Sequence, residues 1–416
     1  MAFYLQASII VSFLAASSAP TPLYATYQAS WGFSALTVTV IFGIYAFVFL
    51  AALLTVGALS DHVGRRPIVL VAIILQAVAT AIFIGAASVS ALVAARVLQG
   101  LSTGAAVGAL GAGMLDLDKA KGTLANAASP PIGTATGALG AGLLVAYLPD
   151  RTHLVYLVLL AILLVQAIGV ALIAETSPRV PGAMASLRPR LALPPKTRRP
   201  MLIAVPALVA GWALAGFYGS LGPALIAHLT GSHSPALGGL CLFILAASAA
   251  LAVPLLKGTS PRTVTLIGTV ALLTGVALTL LATTIGSEAL FLTGTAIAGV
   301  GFGGGFQGAI RTIAPLAEPH ERAGVLSSIY LASYVALGLP AIVAGVLVAD
   351  GSSIVATSRE YGATIMLLAT LAMLGLVVQR NSGRRRRAPD EPPAHSGRGG
   401  LCPDHSTRVA CETPSG

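Results

Sequence analysis

The chain has 416 residues, of which 56% are hydrophobic and only 9% are charged, and its formal net charge is +10. A water-soluble chain carries about 25% charged residues, so this one lacks the polar surface to cover itself in water. A mean hydropathy of +0.88 points instead to a lipid bilayer.

The apolar residues fall into blocks of about 20, the length of helix that crosses about 30 Å of hydrocarbon. They do not alternate with polar residues, which excludes spanning strands. The first block, 3–22, looks like a secretory leader, but no Lys or Arg precedes it, so it is expected to stay as a first helix. In chain order the remaining expected spans are 35–59, 67–87, 89–114, 124–147 and 153–174, then 200–227, 235–256, 263–284, 288–312, 323–349 and 360–379. The expected fold is an all-α integral membrane protein with twelve transmembrane helices, arranged as two six-helix bundles (a 6+6 pseudo-repeat) around a central cavity. The expected layout is an N-terminal bundle at 1–174, a cytoplasmic linker at 175–199, a C-terminal bundle at 200–379 and a disordered basic tail at 380–416.

The breaks alternate in charge. One set holds Arg65, Arg66, Lys119, Lys121, Lys257, Arg262, Arg322 and the basic residues of 179–199, and the tail adds Arg384, Arg385, Arg386 and Arg387. The other set holds Arg151 and Arg359. Basic loops remain in the cytoplasm, which places both termini there and the chain in the plasma membrane. The same alternation accounts for the basic balance without nucleic acid, because the charges lie on every second loop rather than on one domain. The Arg run of the tail is suited to anionic lipid headgroups. Cys241, Cys402 and Cys411 are too loosely spaced for a zinc site and read as free thiols.

The halves echo each other at an offset near 200. Ser17–Pro20 (SSAP) matches 220–223 (SLGP), and 54–65 (LTVGALSDHVGR) matches 251–262 (LAVPLLKGTSPR). Gly100 and Gly104 match Gly299 and Gly303, and 143–146 (LLVA) matches 346–349 (VLVA). Four matches in order support duplication of a six-helix unit, and two parallel repeats enclose one site at mid-depth.

The break at 57–67, GALSDHVGRRP, concentrates charge in a chain that has little. Its order Gly-x-Leu-Ser-Asp-x-x-Gly-Arg-Arg, with Gly57, Asp61, Gly64, Arg65 and Arg66, resembles the loop signature of the major facilitator superfamily. A second stretch, 92–105 (LVAARVLQGLSTGA), resembles that family's helix-4 signature through Leu92, Arg96, Gln99, Gly100 and Gly104. The resemblance spans nearly the whole chain. It implies a secondary transporter in which the loop braces the two halves on the cytoplasmic side when the cavity faces outward, with Asp61 and Arg65 carrying that brace and facing the start of span 11 near Gly324. Asp116, at the inner end of span 4, is placed to pair with Arg65 or Arg66. The C-terminal copy departs from the pattern, with Pro254 for Gly57 and Gly258 for Asp61.

Arg96 lies inside a span, where an uncompensated charge costs on the order of 3 kcal/mol or more, so it must face the protein interior or a wet cavity. Its readings are a proton or substrate contact, as the resemblance implies, or a cap on a neighbouring helix. All 14 Asp and Glu lie in loops, at span ends or in the tail. A cavity with Arg96 and no acid favours neutral or anionic cargo, and proton coupling would fall to Asp61, Asp116, Asp118 or a histidine such as His228. Candidate cavity residues are Gln6 and Ser12 of span 1, Tyr45 of span 2, Trp212 and Tyr218 of span 7, Gln307 of span 10, and Tyr330 and Tyr334 of span 11.

Span 5, NAASPPIGTATGALGAG (126–142), is Gly- and Pro-rich like the helix-5 signature of the family's antiporters, though it lacks the Gly-Pro dipeptide. GVGFGGGFQG (299–308) lies within a span and lacks Gly-Lys-Ser/Thr, so nucleotide binding is rejected. No nucleophile–base pair or metal cluster sits in a span, so an enzyme is not expected. The expected protein is a monomeric, proton-coupled exporter of a small neutral, amphipathic or anionic solute, with the proton as coupling ion and no cofactor. The alternatives are a carrier of a sugar-like or carboxylate metabolite, or a non-transporting receptor or scaffold.

Overall fold

Local chemistry marks where the helices start and stop. Ser34, Ser88, Asp118, Ser260 and Ser287 each accept a backbone N–H from the first turn of the helix they precede, which satisfies donors a helix start leaves open. Gly32, Gly231 and Gly286 end helices in the left-handed conformation, which costs glycine nothing. The computed structural model describes residues 1–148, 152–177, 180–189, 191–318 and 320–385.

Among the described residues, twelve long helices run between these signals. They are α1 Ala2–Ser18, α2 Ala35–Val56, α3 Arg65–Ile84, α4 Val89–Leu117, α5 Lys119–Tyr147 and α6 His153–Leu172. The second half supplies α7 Pro195–Ser220, α8 Pro235–Leu255, α9 Pro261–Ile285, α10 Glu288–Ile313, α11 Arg322–Ala349 and α12 Ile354–Arg385. Each falls within a few residues of an expected span. The differences have local causes. Span 1 breaks after Ser18, passes through a short 3-10 turn at Thr21–Leu23 and resumes as Tyr24–Trp31. Span 7 breaks in the same way at Leu221 before Gly222–Thr230, so the repeated SSAP and SLGP segments make equivalent bends. α7 begins at Pro195, inside the expected linker, because Pro195 occupies a first-turn position where no N–H is needed. α12 starts six residues before its expected position and continues to Arg385 past the expected end at 379. The remainder of the expected tail, 386–416, lies outside the described residues.

Eleven of the helices are long and apolar enough to span a membrane by composition alone. α5 is the exception, being built from Gly, Ala, Thr and Pro. It does not depend on side-chain apolarity, because it packs closely against α1 and α8. A Cβ at Gly142 would stand 2.7 Å from the Pro235 carbonyl oxygen of α8.

The six-helix repeat is visible in the packing. The two largest contacts between the halves are α2 with α11 and α5 with α8. Advancing each helix by six turns one pair into the other, as a two-fold axis requires. Gly100 and Gly104 press α4 onto α2 backbone at Tyr45 and Phe49, and Gly299 and Gly303 press α10 onto α8 backbone at Leu245 and Ala249. The chain is therefore a multi-pass membrane protein of two six-helix bundles. One end, here the basic end, carries the 57–64 loop, the 175–194 linker and the 314–321 turn. The other is the far end.

A methyl on Gly104 would run into the Phe49 carbonyl, whereas one on Gly140 of α5 meets nothing within 4 Å. Gly104→Ala is expected to cost about 2 kcal/mol by overpacking, and Gly140→Ala to gain about 0.5–1 kcal/mol of helix propensity. Thermal melting of the detergent-solubilised chain checks both: the first melts lower than the parent and the second no lower.

Candidate functional site

At the basic end, Gly57 closes α2 where it crosses α4, and a Cβ on Gly108 would stand 3.0 Å from the Gly57 Cα. One helical turn, Ser60–Val63, leads to Gly64, whose φ of +106° is open to glycine and to few other residues. The chain then enters α3 at Arg65. The Arg65 guanidinium donates to the Asp61 carboxylate, to Ser60 Oγ at 2.7 Å and to Asp116 Oδ2 at 3.3 Å. Arg66 donates to the Ala171 carbonyl at the end of α6. The pairing expected between Asp116 and the loop arginines thus involves Arg65.

Glu175 was not singled out from the sequence, and it completes this cluster. Its carboxylate accepts the backbone N–H groups of Arg65 at 2.8 Å and Arg66 at 3.0 Å, capping α3 from a different segment. It also accepts from Thr176 at 2.9 Å and Ser177 at 3.1 Å. An anion at a helix N-terminus meets both unpaired donors and the positive end of the dipole. Desolvation pushes the Glu175 carboxyl up, but the bonds from Ser177, Arg65, Arg66 and Thr176 together outweigh it and hold the group below its ordinary value. Asp118 is also held low, first by the Lys121 backbone N–H and also by the Lys121 side chain and the Ala120 N–H. The signal for Glu175 was present in the sequence as an acid three residues past the end of α6, opposite two arginines.

The brace of Asp61 and Arg65 against Gly324 is expected when the cavity faces outward, and in the present conformation Gly324 meets another residue. Asp61 turns to Arg65, and its side chain stays 57% exposed. Gly324 is covered instead by Ala192 of the linker, whose N–H donates to the Gly324 carbonyl at 3.3 Å. Ser328 Oγ donates to the Ala192 carbonyl at 3.2 Å. On the other side, the Val180 N–H donates to the His62 carbonyl at 3.0 Å, and His62 Nδ1 lies 3.2 Å from the Pro181 carbonyl oxygen. The linker therefore grips the loop at one end and the start of α11 at the other, so the connection runs through it.

Arg96 is completely enclosed. Its Nη1 donates to the Ser17 carbonyl and to Gln99 Oε1, both at 2.7 Å, and Nε and Nη2 donate to the Tyr24 hydroxyl at 3.2 and 2.5 Å. The rings of Tyr24, Tyr45 and Phe83 surround the guanidinium at 5.5–5.8 Å from their centroids. Gln99 Nε2 donates to the Ala16 carbonyl at 3.0 Å. These two residues satisfy the carbonyls freed where α1 breaks, and no open face of Arg96 is left for a solute in this conformation.

The candidate cavity residues separate into three groups. Ser12 accepts a hydrogen bond from Gln166 of α6 at 2.8 Å, inside the first bundle. Tyr218 bonds Thr295 at 2.7 Å and stacks on Phe291, inside the second. Neither of these bonds crosses between the halves. Gln6 sits at the basic end beside Arg65, Arg66 and Glu175, bordering a cavity of about 10 Å³, room for about one water molecule. The remaining candidates meet near mid-depth. Tyr45 lies 6.0 Å from Phe49, Phe49 stacks on Tyr334 across the halves at 4.3 Å, and Tyr334 lies 4.9 Å from Trp212. Trp212 meets the edges of Phe302 at 5.4 Å and Phe306 at 5.3 Å, and Phe306 faces Tyr330 at 6.0 Å. Gln307 turns to α8, donating to the Val253 carbonyl at 3.3 Å. Phe49, Phe302 and Phe306 were not anticipated. Tyr45/Phe49, Phe302/Phe306 and Tyr330/Tyr334 are each four residues apart, which puts each pair on one helix face and was readable beforehand.

At the far end the halves are closed. Thr21 Oγ1 donates to the Gly219 carbonyl at 2.9 Å, a Cβ on Gly219 would reach the Phe42 ring at 2.6 Å, and Gly345 packs on Thr39. Trp212, Phe302, Phe306, Gln307 and Tyr330 nevertheless remain partly exposed. Trp212 and Tyr330 lie on α7 and α11, both of which contact α2 of the opposite half.

Two six-helix bundles related by a pseudo-two-fold, with an inter-bundle surface closed at one end, define a carrier rather than an enzyme. The sequence profile of the Major Facilitator Superfamily matches residues 7–338, and the chain belongs to that family. No match to a curated protein sequence is found. Among solved structures, the chain is similar to a bacterial homologue of the human lysosomal transporter Spinster in an inward-facing, unoccupied conformation, with TM-score 0.70, 15% identity, and coverage of 93% of this chain and 98% of that one. It is also similar to the human organic anion transporter MFSD10 (TM-score 0.64, 18% identity, 89% and 98% coverage). A third likeness is to the nucleoside transporter NupG in a D323A mutant (TM-score 0.63, 12% identity, 92% and 99% coverage). At these identities the likeness is one of fold.

Two outcomes follow from the geometry. Arg96→Leu strands the Ser17 carbonyl and Gln99 in a dry interior and is expected to cost about 3 kcal/mol, read as a lowered melting temperature of the purified chain. Because the Glu175 constant is lower when folded, its stabilisation is complete above the ordinary value of 4.5 and is lost as pH falls through the lowered constant. Melting temperature against pH should therefore fall less steeply below pH 4.5 in Glu175→Gln than in the parent.

Proposed function

We propose that the protein carries a small neutral, amphipathic or anionic solute across the plasma membrane by alternating access, as proton-coupled efflux, with both termini in the cytoplasm. The observation that carries this reading is the asymmetry of the inter-bundle surface. The far end is closed by the Thr21–Gly219 bond and the Gly142–Pro235 contact, while mid-depth aromatic side chains remain partly exposed. The basic end is then the open, cytoplasmic one, in keeping with the charge of its loops. Export would begin with the solute entering from that side. Rocking of the halves about the α2–α11 and α5–α8 contacts would close the basic end and open the far one.

Coupling to protons requires a titratable group whose environment changes between the two states. At the basic end, Asp61 and Asp116 share Arg65. Protonating Asp61 would release Arg65 from one of its two acidic partners and loosen the loop that the linker grips. A sugar-like cargo is less well matched, because the mid-depth surface offers rings rather than many hydrogen-bonding groups.

The test is flux in liposomes containing the purified chain under an imposed pH gradient. A neutral amphipathic dye should cross against its concentration only while the gradient stands, and an uncoupler should stop it. Asp61→Asn should lower gradient-driven flux about tenfold or more, consistent with loss of an essential proton-transfer group, and leave downhill exchange less affected. Driven flux that is intact in Asp61→Asn removes Asp61 from the coupling path.

A further inference from the structure

The mid-depth surface holds a feature that transport alone does not require. Trp212 of α7 is ringed by Phe302, Phe306 and Tyr334, with centroids 4.9–5.4 Å away, and Phe49 stacks behind Tyr334 with an interplanar angle of 14°. Trp212 Nε1 is shielded from water and has no hydrogen-bond partner among the described residues. A dry N–H left unpaired within the protein is costly unless something else supplies an acceptor.

Among the described residues, no free charge is offered beside these rings. Arg96 stands nearby, 5.5 Å from the Tyr45 ring, but its N–H groups are directed to Ser17, Gln99 and Tyr24. An anion therefore meets no free cation. An organic cation, which an aromatic cage would otherwise attract, meets the field of Arg96 and no carboxylate. Flat rings favour flat guests, since offset and edge-to-face contacts need a planar partner.

We infer that Trp212 and its ring of aromatics form a binding site for an uncharged, planar aromatic compound carrying a hydrogen-bond acceptor, which packs against the surrounding rings and accepts from Nε1 in the plane of the indole. Phe302 and Phe306 meet Trp212 edge-on and are themselves only partly covered. The guest packs against these two rings beside the edge of the indole, and its acceptor reaches Nε1 by displacing one of them. This inference rests on the transport reading only in taking the solute to be the cargo. The binding site can be tested without flux.

The chain contains two tryptophans, Trp31 and Trp212. Trp31 lies at the far end, stacked on Tyr27, so Trp31→Phe leaves Trp212 as the sole indole reporter. In that protein, purified in detergent and melting like the parent, 1-naphthamide should quench Trp212 emission saturably after inner-filter correction. It should bind about tenfold or more tightly than cyclohexanecarboxamide, which keeps the acceptor and lacks the flat ring. It should also exceed naphthalene-1-carboxylate and 1-methylquinolinium, which keep the ring and add charge. By calorimetry in the otherwise native chain, Trp212→Phe should weaken naphthamide severalfold and leave naphthalene, which has no acceptor, nearly unchanged. Equal binding of the cyclohexane amide, tighter binding of either ion, or no saturable quench overturns the inference. Saturable naphthamide binding with no solute flux in liposomes keeps this site and overturns transport. Flux of a solute with Trp212 emission unmoved by naphthamide does the reverse.

Discussion

The architecture depends on helices meeting backbone to backbone. In hydrocarbon no solvent is left to drive apolar surfaces together, so helices associate through close van der Waals contact. That contact requires positions without a side chain. Gly100, Gly104 and Gly108 lay α4 against α2, Gly299 and Gly303 lay α10 against α8, and Gly137, Gly142 and Gly239 seat α5 between α1 and α8. The same residues explain why α5 falls short of an ordinary membrane span in hydropathy. Its neighbours, more than lipid, are its solvent.

Close packing fixes where the polar groups must go. Where α1 breaks after Ser18, the interrupted carbonyls need donors, and Arg96 and Gln99 of α4 provide them. The charge that the sequence left as either a site residue or a cap on a neighbouring helix is bonded to the α1 bend in this conformation. At the basic end, the start of α3 needs acceptors, and Glu175 arrives from beyond α6 to supply both carboxylate oxygens. The loop signature is thus the centre of a larger assembly, in which Arg65 gathers Asp61, Asp116 and Ser60 and the linker joins His62 to Gly324.

What remains between the bundles is nearly free of charge and rich in rings. α2, α10 and α11 each present two aromatics four residues apart, and α7 adds Trp212 at their junction. The contact of Phe49 with Tyr334 joins the halves near the level about which they would rock, so the surface proposed to recognise a solute would also belong to the hinge. Binding there would act directly on the relation between the halves.

Much of this was legible in the chain itself. Blocks of about 20 apolar residues dictate spanning helices because a backbone in lipid must satisfy itself. The alternation of basic loops gave the pairing of ends, and the order of small residues at one offset announced the repeat. Gly64 was readable too, since a tight reversal before a helix needs its φ. Other features depend on distances that no one-dimensional pattern encodes. Ser12 and Tyr218 carry hydroxyls as Tyr330 does, yet they turn inward to Gln166 and Thr295, because helix rotation, set by which glycines touch, decides which face looks across the interface. Glu175 became a cap, and Ala192 rather than Asp61 came to cover Gly324, because both lie on segments whose path is set by packing of the bundles. The sequence by itself determined which segments cross the membrane. Only the tertiary structure decided which side chains meet, since contact between residues more than 100 positions apart follows from helix rotation and depth rather than from spacing.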